Sequence, residues 1–164
     1  MMYTARYNSP LGTMLLACDD EGLCGAWFDG QKYYAQGLCN AETREHKHLC
    51  AAADWLDEYF AGTVPPRFEK LHLTATPFRA LVWDELRNIP YGETRTYGEL
   101  ARTVAVKMNK PKMSARAIGC AIGHNPVSII IPCHRVIGGT GALTGYAGGV
   151  ERKRELLQWE RAKA

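Results

Sequence analysis

Three short apolar-rich runs open the chain: Tyr3–Tyr7, Met14–Cys18 and Leu23–Phe28. Each has the length and composition of a β-strand, and Asp19-Asp20-Glu21-Gly22 between the last two predicts a hairpin turn. From residue 48 the period changes. The stretch HLCAAADWLDEYFA, residues 48–61, carries Leu49, Ala52, Ala53, Leu56 and Phe60 at helical spacing, and Gly62 stops the helix. Residues 62–76 contain Pro65-Pro66 and read as a linker, which divides the chain into residues 1–75 and 76–164.

The second half reads as mostly helical. Phe78, Leu81, Val82 and Leu86 mark a helix that ends before Pro90. Thr96 and Glu99 have capping-box spacing, so another helix starts near Tyr97. A polar, Lys-rich connection follows, and Ser114 caps the helix ARAIGCAIG, which ends near Gly123. Two short helices separated by a loop have the form of a helix-turn-helix. Residues 127–131 are a strand-like apolar run, 138–149 a glycine-rich loop, and the last helix covers about 150–162.

Composition adds one asymmetry. Residues 1–75 hold six Lys/Arg against ten Asp/Glu, and residues 76–164 hold fourteen against seven. An acidic first half beside a basic second half points the second towards a polyanion. The opening residues MMYTARYNSPLG have no apolar run of signal-peptide length, and no stretch spans a bilayer. The expectation is a cytoplasmic protein without membrane contact. Its cysteines, at positions 18, 24, 39, 50, 120 and 133, should be free thiols.

Five of those cysteines read as small buried hydrophobes. Cys133 differs. It follows an apolar run and Pro132, precedes His134 and Arg135, and stands before the glycine-rich loop. Cysteine attacks as a thiolate, and an unperturbed thiol with a pKa of about 8.5 is only slightly ionised at neutral pH. His134 offers a base, although neighbours on a strand point to opposite faces, so a bridging water enters the reading. A nucleophilic Cys133 should carry a depressed pKa.

The run IPCHRVIGGTGALTGYAGG resembles the active-site signature of the O6-alkylguanine-DNA alkyltransferases, the methylated-DNA–protein-cysteine S-methyltransferases. The likeness extends through TYGELA, SARAIG, the Asn125-Pro126 turn and RKRELLQWE. SPLGTMLLACDDEGLCGAWF resembles the opening of the bacterial form. One departure stands out: the Thr103–Lys112 connection looks longer than usual. The resemblance implies an α+β fold. Residues 1–75 would form a small α/β ribonuclease H-like domain with an antiparallel sheet. Residues 76–164 would form a helical, winged-helix-like domain.

The resemblance also implies the chemistry. Cys133 takes the alkyl group of O6-alkylguanine in DNA once and irreversibly, with O4-alkylthymine an open second substrate. DNA-only members of the superfamily have another residue in place of Cys133. His134 would act through a water and Glu160 would hold His134. Lys153, Leu156, Leu157 and Glu160 share one helical face, so that acid should point inward. Asn125 would bridge backbone groups, and Tyr97 would protonate the leaving base. Tyr146, Ala147, Gly148, Val136 and Ile122 would form the base pocket. Attack on O6 requires the nucleotide to be flipped out of the duplex. The helix bearing Ser114, Ala115, Arg116 and Gly119 would enter the minor groove, with Arg116 filling the gap. The implied protein is a monomer with neither cofactor nor metal.

Three rivals remain. A cysteine peptidase uses Cys and His from separate segments, which adjacent Cys133 and His134 disfavour. A DNA-binding regulator needs the basic half but not Cys133. A zinc protein could use Cys18, Cys24 and His72, because some relatives carry metal in this domain, but no fourth ligand stands at a suitable spacing.

Overall fold

The strand-forming runs at the start of the chain build a four-stranded sheet in the order β3-β2-β1-β4. Strands β1 (Met2–Ser9), β2 (Gly12–Cys18) and β3 (Leu23–Phe28) are antiparallel neighbours. The Asp19 carboxylate accepts the N–H groups of Glu21 and Gly22 at 2.9 and 3.0 Å, which closes the β2–β3 turn. A short strand that the pattern did not mark, β4 (Ala41–Thr43), joins parallel to β1. Three residues are too few to show a period. Helix α1 (Lys47–Phe60) lies on this sheet and buries Leu49, Ala52, Leu56 and Tyr59. A fully buried Leu there stabilises by about 1.5–3 kcal/mol.

The computed structural model describes residues 1–164 and divides them into two units. Met1–Thr74 and Pro126–Ile130 form the first unit; Ala75–Asn125 and Ile131–Ala164 form the second. Residues 126–130 therefore belong with the first-half sheet, and the expected strand over 127–131 does not form. The Ala26 N–H donates to the Pro126 carbonyl at 2.8 Å, and Val127 makes one isolated bridge with Ala26. Ile129 then turns the chain at φ 70°. Positive φ is costly for a β-branched residue. The run is apolar because all of it is buried, and that requirement is the same for a strand and for a buried turn. With a second bridge from Leu23 to Leu71, this segment covers the β3 edge that would otherwise expose unpaired backbone groups.

In the second unit three helices, α2 to α4, start at a side-chain cap. Thr76 accepts the Arg79 N–H at 3.2 Å ahead of α2 (Pro77–Arg87), with Pro77 at the first helical position. Thr96 and Glu99 complete a reciprocal capping box on α3 (Tyr97–Lys107). Ser114 accepts the N–H groups of Arg116 and Ala117 ahead of α4 (Ala115–Gly123). Helix α3 extends to Lys107, so the link to α4 is shorter than the Thr103–Lys112 reading. Val104 and Ala105 are buried and hold the last turn, and Lys107 pairs with Glu85. The Trp83 indole donates to the Ala121 carbonyl at 2.8 Å and ties α2 to α4. A parallel pair, β5 (Arg95–Thr96) and β6 (Val136–Ile137), flanks a 3-10 turn at Cys133–Arg135; α5 (Val150–Lys163) closes the chain. No helix is long and apolar enough to cross a membrane.

Candidate active site

Cys133 sits in the 3-10 turn, not at a strand end, so strand alternation does not govern how it faces His134. Its side chain is 4% exposed. Asn125, also buried, donates from Nδ2 to the Ile131 carbonyl at 2.9 Å and hydrogen-bonds the thiol. Burial nevertheless pushes the Cys133 pKa up to about 11, with Asn125 and Lys153 pulling in the opposite direction. The expected depression is therefore corrected: the resting group is a thiol. Enclosure removes the water that would stabilise a thiolate, and that loss outweighs the nearby dipoles and cation.

His134 and Glu160 are both fully buried, with Nε2 and Oε2 2.5 Å apart. Glu160 also accepts Arg135 Nε at 2.7 Å and the Gly92 N–H at 3.2 Å, while Arg135 donates onward to the Ile89 carbonyl at 2.8 Å. Burial works to raise the Glu160 pKa, but the charges and hydrogen bonds of His134 and Arg135 hold it well below the usual carboxylate range. Burial lowers the His134 pKa despite Glu160. A neutral imidazole that donates Nε2–H to a carboxylate keeps a lone pair on Nδ1. That Nδ1 is buried and no protein group hydrogen-bonds to it, so it is the ring nitrogen left to accept a proton.

Tyr97, the first residue of α3, is half-buried and donates its hydroxyl to the Thr144 carbonyl at 3.2 Å. Burial raises its pKa. Tyr146 is buried, with its ring edge-on to His134 at 6.5 Å between centroids. In the same loop Gly148 is buried and Ala147 half-buried. Val136 and Ile122 are enclosed in the unit's core. On α4 the residues Ser114, Ala115 and Arg116 are exposed. Gly119 is half-buried where an added Cβ would stand 3.8 Å from the Tyr97 ring. The fold thus gathers Cys133, His134, Glu160, Asn125, Tyr97 and Tyr146 in one unit, with Arg116 on an open helical face.

Two partners were missed as site groups. Arg135 shares the Glu160 carboxylate. Lys153 is fully buried, hydrogen-bonds the Thr144 carbonyl at 2.8 Å, and lies 5.8 Å from the Tyr97 ring centroid. The available signal was a lysine on the Leu-bearing face of the last helix. In the first unit, Cys18 faces His46 Nδ1 at 3.3 Å and does not join Cys24 and His72. Asp19 takes that place: ligand atoms of Asp19, Cys24 and His72 lie within 4.8 Å of one another, and His72 Nδ1 is 2.6 Å from the Asp19 carboxylate.

Two family models match the chain. One describes the ribonuclease-like domain of 6-O-methylguanine DNA methyltransferase and covers residues 2–75; the other describes its DNA-binding domain and covers residues 77–162. The chain belongs to the methylated-DNA–protein-cysteine methyltransferase family. It is 43% identical to the protein of that name from Methanosarcina acetivorans, over 97% of this chain and 98% of the relative. It is 41% identical to the one from Mycobacterium bovis, over 100% and 95%. The crystal structure of Mycobacterium tuberculosis O6-methylguanine methyltransferase superposes with a TM-score of 0.85 at 41% identity, covering 100% of this chain and 95% of that one. A structure of the same organism's protein in complex with DNA superposes with a TM-score of 0.83 at 40% identity, covering 99% and 94%.

Proposed function

We propose that this chain repairs DNA by moving the alkyl group of O6-alkylguanine onto Cys133, once per molecule. The observation that carries this reading is the enclosed Cys133 thiol followed in the same turn by His134, whose imidazole is locked onto Glu160. In this reading the thiol proton passes to His134 Nδ1, directly or through a water. Sulfur bonds to the alkyl carbon as the C–O6 bond breaks, and the electron pair leaves with the base. The Tyr97 hydroxyl supplies a proton to a ring nitrogen of the departing guanine. Enclosure suits this order of events, because the thiolate need exist only as the alkyl carbon arrives. The thioether has no ready leaving group, so turnover ends at one alkyl transfer.

DNA is the partner that the related DNA complex supports. Small residues along the open face of α4, Ala115 and Gly119, let a helix approach a narrow minor groove, and Arg116 is the long cation beside them. The flipped nucleotide would lie against Tyr146, Ala147, Gly148 and the backbone of Val136, with Ile122 behind. Flipping costs a few kcal/mol. If Arg116 fills the gap, Arg116→Ala should slow transfer most on a well-stacked duplex and least on a single-stranded or mismatched substrate. An equal loss on all three would leave Arg116 as a phosphate contact only. The protein acts as a monomer in the compartment that holds the DNA. Mass spectrometry after incubation with an O6-methylguanine duplex tests the main reading. One added methyl, confined to the Cys133 peptide, supports it; an unmodified Cys133 with the lesion removed overturns it.

A further inference from the structure

Between Glu99 and Glu151 the chain carries no acidic residue. Residues 100–150 hold six cations: Arg102, Lys107, Lys110, Lys112, Arg116 and Arg135. The fold neutralises two of them with acids from outside the stretch, Lys107 by Glu85 and Arg135 by Glu160. Arg102, Lys110, Lys112 and Arg116 are exposed and pair with no carboxylate. Elsewhere on the surface Arg6, Arg95 and Arg154 each hold one. Exposed cations with no acid among them form a surface for a polyanion.

Lys110 and Lys112 stand in the link between α3 and α4, and the link is held at both ends. Helix α3 closes in a Schellman motif. Asn109 takes the left-handed position at φ 58°, its N–H donates to the Val106 carbonyl at 3.1 Å, and the Lys110 N–H reaches back to the Ala105 carbonyl at 2.9 Å. Asparagine is one of the few side chains that takes this conformation routinely. Glu85, buried on α2, holds Lys107 and so fixes the last turn of α3. Pro111 restricts the backbone between the two lysines, and Ser114 caps α4 just beyond Lys112. Residues 110–112 are all exposed. Backbone that is ordered before binding has little freedom left to lose on binding. The three lysines around the link thus divide: Lys107 braces α3 on α2, while Lys110 and Lys112 face solvent.

We propose that Lys110 and Lys112 grip phosphates of duplex DNA beside the groove that α4 enters, so that the link holds damaged and undamaged duplex alike while α4 and the base pocket select the lesion. The inference rests on the reading of duplex DNA as the partner. Continuity decides the occupant. Only Met113, Ser114 and Ala115 separate Lys112 from Arg116 on the open face of α4, and Ser114 and Ala115 are themselves exposed. A sugar–phosphate strand along that face comes within reach of a lysine side chain on the link. Lysine suits the task as a flexible point charge that needs no fixed angle to a phosphate. Such contacts place a protein on the duplex without reading sequence. The rival occupant is the acidic first half of a second copy, whose residues 1–75 hold ten Asp/Glu against six Lys/Arg.

Fluorescence anisotropy with two duplexes, one undamaged and one carrying O6-methylguanine, is to be followed between about 50 and about 200 mM salt. The proteins are the wild type, the double variant Lys110→Gln/Lys112→Gln, its charge-keeping counterpart Lys110→Arg/Lys112→Arg, and Lys107→Gln. The Gln pair should lower the salt slope by about two and weaken both duplexes equally, at least about tenfold at about 100 mM salt. Single-turnover transfer at saturating DNA should stay within about twofold of the wild type. The Arg pair should keep the wild-type slope. Lys107→Gln should melt lower, because it strips a buried carboxylate of its cation, yet keep the slope. An unchanged slope in the Gln pair would overturn the proposal, as would a loss confined to the O6-methylguanine duplex or an equal slope loss in Lys107→Gln. So would sedimentation of the DNA-free protein in which the Gln pair breaks a dimer while its salt slope stays wild-type, which would assign the link to a second copy. A wild type that binds duplex with its full salt slope and leaves the lesion intact would instead overturn the alkyl-transfer reading.

Discussion

Replacing Cys133 with Ala should abolish alkyl transfer altogether while leaving duplex affinity unchanged. The side chain is enclosed and does not lie on the exposed face of α4, so its removal takes away the acceptor without touching the surface that would meet DNA. The stability cost should be small, about 1 kcal/mol, because one sulfur atom is lost from a well-packed turn. No other cysteine should substitute. Burial raises Cys18 to about 11 and Cys24 to about 12, and neither has a buried His–Glu pair beside it. Lesion loss against protein concentration is the measurement. Wild type should remove one methyl per molecule and stop, and Cys133→Ala should remove none. Continued removal beyond one per molecule would defeat the mechanism.

Glu160→Gln carries the second large effect. Glu160 orients the His134 imidazole and neutralises Arg135, so the amide leaves Arg135 without its counter-ion and favours a different His134 tautomer. Loss of a positioned base costs roughly 10²–10⁴-fold in rate. Breaking a buried ion pair costs about 3–5 kcal/mol of stability. Transfer should fall by at least about 10²-fold, with DNA affinity nearly intact when measured well below the variant's melting temperature. The pH dependence supplies a separate check. The folded Glu160 pKa lies below the unfolded value of about 4.3, so its stabilisation is present above that pH and is lost as pH falls below it. Wild type should therefore lose stability more steeply in acid than Glu160→Gln. Parallel acid titrations would mean that the pair contributes no linkage, and collapse of DNA affinity would make Glu160 structural.

Lys153 has linkage of the same sign, but here it records a cost. Burial lowers its pKa to about 8, against about 10.4 in the unfolded chain. The unfolded state then binds more protons between those values, so its cost to stability is present at neutral pH and recovered as pH rises from about 8 to about 10.4. Lys153→Met should melt higher than the wild type at neutral pH, and the difference should shrink as pH rises past about 8 in thermal unfolding measured against pH.

Much of this protein was legible along the chain because local rules act locally. Thr96 and Ser114 cap their helices as their spacing foretold, since a cap needs only the next two or three N–H groups. The helical spacing of Lys153, Leu156, Leu157 and Glu160 put an acid on a buried face, and PCHR with its following glycines singled out one cysteine of six. Tertiary structure decided the rest. Residues 126–130 became an edge cover for β3 because apolar composition records burial but not backbone direction. Cys133 became a resting thiol because its pKa depends on how much water the fold removes, which no neighbouring residue reveals. Arg135 and Lys153 looked alike as cations in sequence. The fold gave Arg135 a carboxylate and left Lys153 with a carbonyl and an aromatic face, so one stabilises the site and the other sits at a cost over Tyr97.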